Sequence, residues 1–506
     1  MPKTTEDALH NLVGSLTKAE KRNFRLFATR LQNKPDLLFL KLFDILDRSR
    51  EYDEQKVRTK LKLTGSKLSN LKRHLYSQIL KSLRTLHAEK DREIQIREQM
   101  DHARILYHKG LYLQSLKILD RVRTLAEKAH QEILLLEIME MQKFIEERHI
   151  TRSRRVKGKM ERLLKDAESQ DTLISNMVRL SNLKIRVHGL YITMGHARNL
   201  KDHKRVEAEF LPDLLEYSGQ KMGFMEQVFL HQSYMWYYYI LLDFENCNRH
   251  AHQWVAIFDR HPHMIQDDPV LYMRGLAYEL ATLFSMHRRD RYEKVMEKFE
   301  KFSGQYESEF DTTSRIIHFL YYYTARLNQH LLAETFQEGI KLVPQIEKLI
   351  RKYSALIDVH RIMVFKYKLA WLFFGAGNYS KAIDFLNDII NLKAGHLRED
   401  IQCYARLLHL IAHYELGNYD YLSYQVVSVS RFFEKMKDLN QIQKAILDFF
   451  RKNYALRDEA LRDELQVLRG TVEVLSKDPY ERRAFLHMDI LGWIDGKLAA
   501  GWNGDH

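Results

Sequence analysis

Three stretches of this 506-residue chain repeat one pattern. Gly110 to Ser115, Gly377 to Ala382 and Gly417 to Leu422 each set a glycine two residues before a tyrosine, between two amphipathic runs. Glycine enters the left-handed backbone region that ends a helix without a Cβ penalty. The pattern therefore spells a helix, a tight turn and a second antiparallel helix. Gly377 and Gly417 lie 40 residues apart, and repetition on that scale predicts a solenoid of helical hairpins.

The rest of the chain agrees with an all-α fold. Apolar residues recur at three and four, as in Ala103, Leu106, Tyr107, then Leu116, Leu119, Val122 and Leu125, and no strand-like alternation is sustained. Seven prolines and 20 glycines are few for this length, and both residues weaken helices. Hairpin turns are expected near Gly110, Gly195, Glu245, Asp290, Gln329, Gly377 and Gly417. Three regions follow: a basic helical module over 1–90, a repeat array over 91–478, and a capping helix with its tail over 479–506. Pro479 sits well at a helix start, and Phe485, Leu486, Ile490, Leu491, Trp493 and Ile494 supply a face to seal the stack.

Charge is unevenly placed. The net charge is +13, yet residues 1–90 alone hold 20 Lys/Arg against 10 Asp/Glu. A second basic run over 148–165 has eight Lys/Arg and one acid, Glu161. Such fields favour polyanions. Within the first region, residues 51–87 read as a helix-turn-helix: a short helix through Val57 and Leu61, a turn at Gly65, and Ser66 as cap of a second helix. Leu68, Leu71, Leu75, Ile79 and Leu83 form its buried side, and Lys67, Asn70, Lys72 and Arg73 would face nucleic acid.

The unit at 364–390 carries a family likeness. Leu369, Ala370, Phe373, Gly377, Tyr379, Ala382, Leu386 and Ile389 fall in the order and spacing of large and small residues that resembles the tetratricopeptide repeat. The unit at 110 is a fair match, the unit at 417 has Leu422 in place of the small residue, and between 130 and 360 the motif fades into plain helix pairs. As a whole the chain resembles uncharacterised bacterial repeat proteins. The resemblance implies a surface of first helices that holds a peptide or partner protein. Here that surface should include Arg104, His108, Tyr367, Trp371, Phe374, Tyr404 and Tyr414. Family members that clamp a peptide carboxylate do so with Asn and Lys; aromatic residues stand at those positions here.

Catalytic signatures are missing. No phosphate-binding glycine loop, HExxH, GxSxG or dinucleotide fingerprint occurs, so neither an enzyme nor a cofactor is expected. Cys247, His250, His252, His261 and His263 near Asp259 are the one cluster with metal-ligand chemistry, but His250 and His252 would point apart on a helix. No metal site is expected. Two widely spaced cysteines suggest a reducing, cytoplasmic setting. Residues 1–7 lack the apolar core of a secretory signal, and Tyr234–Leu242 is too short to span a bilayer. The expected role is a non-catalytic interaction scaffold or regulator; the alternative is a nucleic-acid-associated regulator using 1–90 and 148–165. Oligomeric state is left open.

Overall fold

The computed structural model describes residues 7–31, 38–49, 51–88, 91–149, 158–214, 222–392, 399–436, 440–453 and 458–499. Residues 150–157 of the basic run at 148–165 fall outside them. Among the described residues the chain is built of helices, without a strand. Their packing separates two units, Met1–Ile174 and Ser175–His506.

Many helices start on a side-chain cap. Asp7, Asp53, Asp91, Asp243, Asp268, Asp311 and Asp358 each accept a backbone N–H of the first turn, and so does Asn378. These carboxylates satisfy amides that the helix leaves orphaned and complement its positive end.

In the first unit, α1 (Ala8–Ser15), α2 (Lys18–Leu31), α3 (Leu38–Arg48), α4 (Glu54–Leu61) and α5 (Gly65–His87) enclose Leu9, Val13, Phe24, Leu42, Phe43, Leu75 and Ile79. The short helix and long helix expected at 51–87 are present as α4 and α5. The turn between them differs. The left-handed residue is Lys62 (φ 53°), not a glycine, and the extended residue that precedes α5 is Thr64, not Ser66. The amides of Lys62 and Leu63 bond back to Thr59 and Arg58, so the turn closes early and Gly65 becomes the first helical residue. After this module, α6 (Arg92–His108), α7 (Tyr112–Lys128), α8 (Glu132–Arg148) and the start of α9 (Lys159–Met194) share a core of Ile96, Ala103, Leu119, Val122, Ile138, Ile145 and Leu163.

The second unit takes the rest of α9, then α10 (Leu200–Leu214) and a series of hairpins. Helix α11 (Phe224–Ile240) pairs with α12 (Phe244–Arg260). After the single turn α13 (His263–Asp267), α14 (Pro269–Ser285) pairs with α15 (Arg289–Tyr306). Helix α16 (Thr312–Leu332) is followed by the short α17 (Phe336–Ile340) and α18 (Val343–Tyr353); then α19 (Val359–Gly375) pairs with α20 (Tyr379–Ile390). Next come α21 (Glu399–Glu415) with α22 (Tyr419–Met436), and α23 (Gln441–Asn453) with α24 (Asp458–Leu475). First helices also pack on one another, α14 on α16 and α16 on α19.

One turn geometry recurs. At Gly110, Leu242, His287, Glu334, Gly377 and Gly417 the backbone is left-handed, with φ between 55° and 75°. In each case that residue's amide bonds three residues back, and the next amide bonds five back. This is the Schellman closure of a helix end. The expected turns near Glu245, Asp290 and Gln329 therefore exist, but with Leu242, His287 and Glu334 where glycine was the sequence signal. Five residues beyond the left-handed position the second helix buries a residue: Ser115, Cys247, Gly339 and Ala382 are small there, Tyr292 and Leu422 large. A Cβ on Gly339 would lie 2.8 Å from Leu372 Cδ2.

The end of the chain departs from expectation. No helix begins at Pro479; a turn leads into a single 3-10 stretch, Arg482–Leu486, and only then α25 (Ile490–Ala499). The bend has a cause. Buried Glu481 turns its carboxylate onto the Ile442 amide (3.2 Å), and Ala484, Met488, Ile490 and Ile494 sink among the preceding helices.

Candidate binding face of the first helices

The residues expected to line a groove are found in different surroundings. Arg104 is exposed and 3.9 Å from Glu137, and His108 is exposed with its ring against Tyr107. Both belong to the first unit. Arg104 borders a cavity of about 290 Å³ with Arg84, Arg97, Asp101 and Glu137. Arg84 pairs with Asp101 and Arg97 with Glu93, so the charges there are already matched. In the second unit Tyr367 and Tyr404 both meet the His487 ring and Tyr414 lies near Trp493, so the chain itself covers them. The Tyr404 hydroxyl donates to the Arg483 carbonyl at 2.9 Å, the His487 ring lies 4.5 Å from Tyr404, and Trp493 lies 6.5 Å from Tyr414. Trp371 is half-buried, edge-on to Phe284 at 6.0 Å, and Phe374 packs on Tyr379.

On α5, Lys67, Asn70 and Arg73 are exposed and, at a spacing of three, share one side. Lys72 does not join them. Its ammonium pairs with Asp7, donates to the Tyr52 hydroxyl at 2.9 Å and lies over the Tyr52 ring.

The histidine and cysteine cluster disperses. Buried Cys247 donates to the Met235 carbonyl at 3.3 Å, and burial pushes its thiol up. His250 Nδ1 faces His231 Nδ1 at 3.0 Å, His252 binds Glu279 at 2.8 Å, and Asp259 binds Lys298 at 2.8 Å. Among the described residues no three such side chains converge as metal ligands.

A more suggestive arrangement lies on α9, α11, α14, α16 and α19 of the second unit. Rings of adjoining helices touch in sequence: His188 to Trp236 at 4.4 Å, Trp236 to Tyr278 at 5.4 Å, and Tyr278 to Tyr321 at 6.5 Å. At the end of this row the Arg361 guanidinium lies over the Tyr321 ring at 5.6 Å, and Arg274 Nε donates to the Tyr321 hydroxyl at 3.4 Å. Lys184 lies over Phe229 at 4.9 Å. Among the described residues, no carboxylate stands within ion-pair distance of Lys184, Arg274 or Arg361. Burial and then Arg274 push the Lys184 ammonium down; burial, then Arg274, Lys184 and Arg361, do the same to His188. The cations thus bear on one another. Beside them a cavity of about 130 Å³ is walled by Ala277, Ala281, Leu320, Val364 and Phe365 and rimmed by Tyr278, Tyr321, Asn328 and Arg361.

No family model, no curated protein and no solved structure matches this chain. Sequence reasoning missed Lys184, Arg274 and Arg361. One signal existed: Arg274 is the sole basic residue in the apolar helix α14.

Proposed function

We propose that the chain is a non-catalytic interaction protein that holds a partner on a face of its stacked first helices, in the manner of the tetratricopeptide-like solenoid its turns resemble. The observation that carries this reading is the 130 Å³ cavity between α14, α16 and α19. A cavity near 150 Å³ accepts benzene, so this one suits a single aliphatic or aromatic side chain, and buried anchors of that kind dominate protein interfaces. The buried thiols Cys247 and Cys403 fit a reducing, cytoplasmic setting. Ala281→Trp on the full chain tests the reading, because it fills the cavity. Protein partners captured from a lysate of the source cells by the native chain should be lost from the variant. If every captured protein is retained, the reading fails.

A second reading attaches to the N-terminal module. Exposed Lys67, Asn70 and Arg73 stand near exposed Arg58, Lys60 and Lys62 at the end of α4, a footprint suited to phosphate. It requires salt-sensitive binding to duplex or single-stranded nucleic acid that weakens in Lys67→Ala/Arg73→Ala. Absence of binding at low salt to DNA and RNA alike rules it out.

A further inference from the structure

We infer that the segment held on this face is acidic: a partner strand that sets side-chain carboxylates against Lys184, Arg274 and Arg361 while one leucine- or phenylalanine-sized side chain fills the adjoining cavity. The inference rests on the scaffold reading and adds the chemistry of the partner.

Three features carry it. First, the cations are unspent. Elsewhere in the second unit Arg288 meets Glu245, Lys298 meets Asp259 and Arg326 meets Glu300, whereas these three side chains rest on aromatic residues and meet no carboxylate at ion-pair distance among the described residues. Grouping like charges without counter-ions costs free energy, which an anion recovers on arrival. Asp268 and Asp358 act only at longer range; Asp268 caps the Leu271 amide, and Asp358 caps His360 and binds its ring. Second, the heads remain reachable. Arg274 is exposed, and Lys184 and Arg361 are half-buried. Third, Arg361 lines the cavity itself, so charge and apolar recognition meet at one point.

A protein segment fits better than nucleic acid. The cavity walls are aliphatic, apart from Phe365, and of the three cations Arg361 lines it, a recess suited to an apolar side chain more than to a stacked base.

The test uses the full-length protein and a displayed library of peptides rich in Asp and Glu, amidated so that no chain-end carboxylate is present. Selected peptides should carry at least one bulky apolar residue beside the acids. A labelled selected peptide should bind about tenfold or more weakly to Arg274→Glu and to Arg361→Glu, and more weakly as salt rises. Arg274→Lys should recover part of that loss, and unfolding midpoints should confirm that the variants stay folded. Selection of no peptide, equal binding by both reversal variants, or binding of poly(dT) alone overturns the inference. If Ala281→Trp releases a cellular partner that both reversal variants retain, the acidic assignment fails while the scaffold reading stands. If Ala281→Trp releases nothing, the scaffold reading itself has failed.

Discussion

The Tyr367 hydroxyl donates a 2.8 Å hydrogen bond to the backbone carbonyl of His487, across 120 residues of chain. A side chain expected to face a partner is thereby turned inward by the chain's own end. Trp493 extends the same contact: its indole N–H donates to Glu415 at 2.8 Å, and Lys497 reaches the other oxygen of that carboxylate at 2.9 Å.

Removing Trp493 should therefore weaken the fold more than removing the Tyr367 hydroxyl. Trp493→Ala loses packing on Phe450 and leaves nearly buried Glu415 short of a donor, at a cost of about 2–4 kcal/mol. Tyr367→Phe should cost about 1 kcal/mol. Denaturant unfolding of the full chain measures both, and equal losses would contradict the arrangement.

The recurring turns predict opposite signs for similar substitutions. His287 and Glu334 are exposed and left-handed, so His287→Gly and Glu334→Gly should each stabilise by about 0.5–1 kcal/mol. Gly377→Ala should destabilise by about 1 kcal/mol. Gly339→Ala should cost about 1–3 kcal/mol through overpacking against Leu372. Shifts in thermal midpoint read all four.

Acid should unfold the second unit through its buried histidines. Burial, with Arg260 nearby, lowers His231 to about 4; burial, with His231 and Arg249, lowers His250 to about 3; burial, with His413 and Arg406, lowers His409 to about 4. An unfolded histidine binds its proton near pH 6.5. Between about pH 6.5 and 4 the unfolded chain thus holds protons that the folded chain refuses, and stability falls as pH falls. Above that window these groups add no pH dependence. Stability measured from pH 8 to 4 should show this slope, reduced in His409→Gln; an unchanged slope in that variant would remove His409 from the account.

Lys72 and its neighbours on α5 should behave differently. Lys72→Ala breaks the contacts with Asp7 and Tyr52 and should cost about 1–2 kcal/mol. Lys67→Ala and Arg73→Ala alter exposed positions and should stay within about 0.5 kcal/mol. Thermal unfolding separates the two classes whether or not nucleic acid binds.

The legible part of this molecule is local. Gly377 and Gly417 as turn residues and the buried stripe of α5 act within a few residues of themselves, so their meaning survives without the fold. Leu242 and Glu334 hid the same turn, because a side chain there is tolerated at modest cost. Cys247, Gly339 and Tyr292 hid the buried position five residues on, since residues of different size fill it.

By itself the sequence determined that this chain would be helical, paired into hairpins and basic at its start, because turn glycines, periodicity and charge are properties of neighbouring residues. Only the tertiary structure decided which side chains are spent and which remain open. It covered Tyr367 and Tyr404 with residues 79 to 120 positions away, tied Lys72 to Asp7, and left Lys184, Arg274 and Arg361 without carboxylate partners among the described residues, Arg361 at the edge of a cavity. Whether a charge is satisfied depends on what folding brings within a few ångströms, and chain order does not encode that distance.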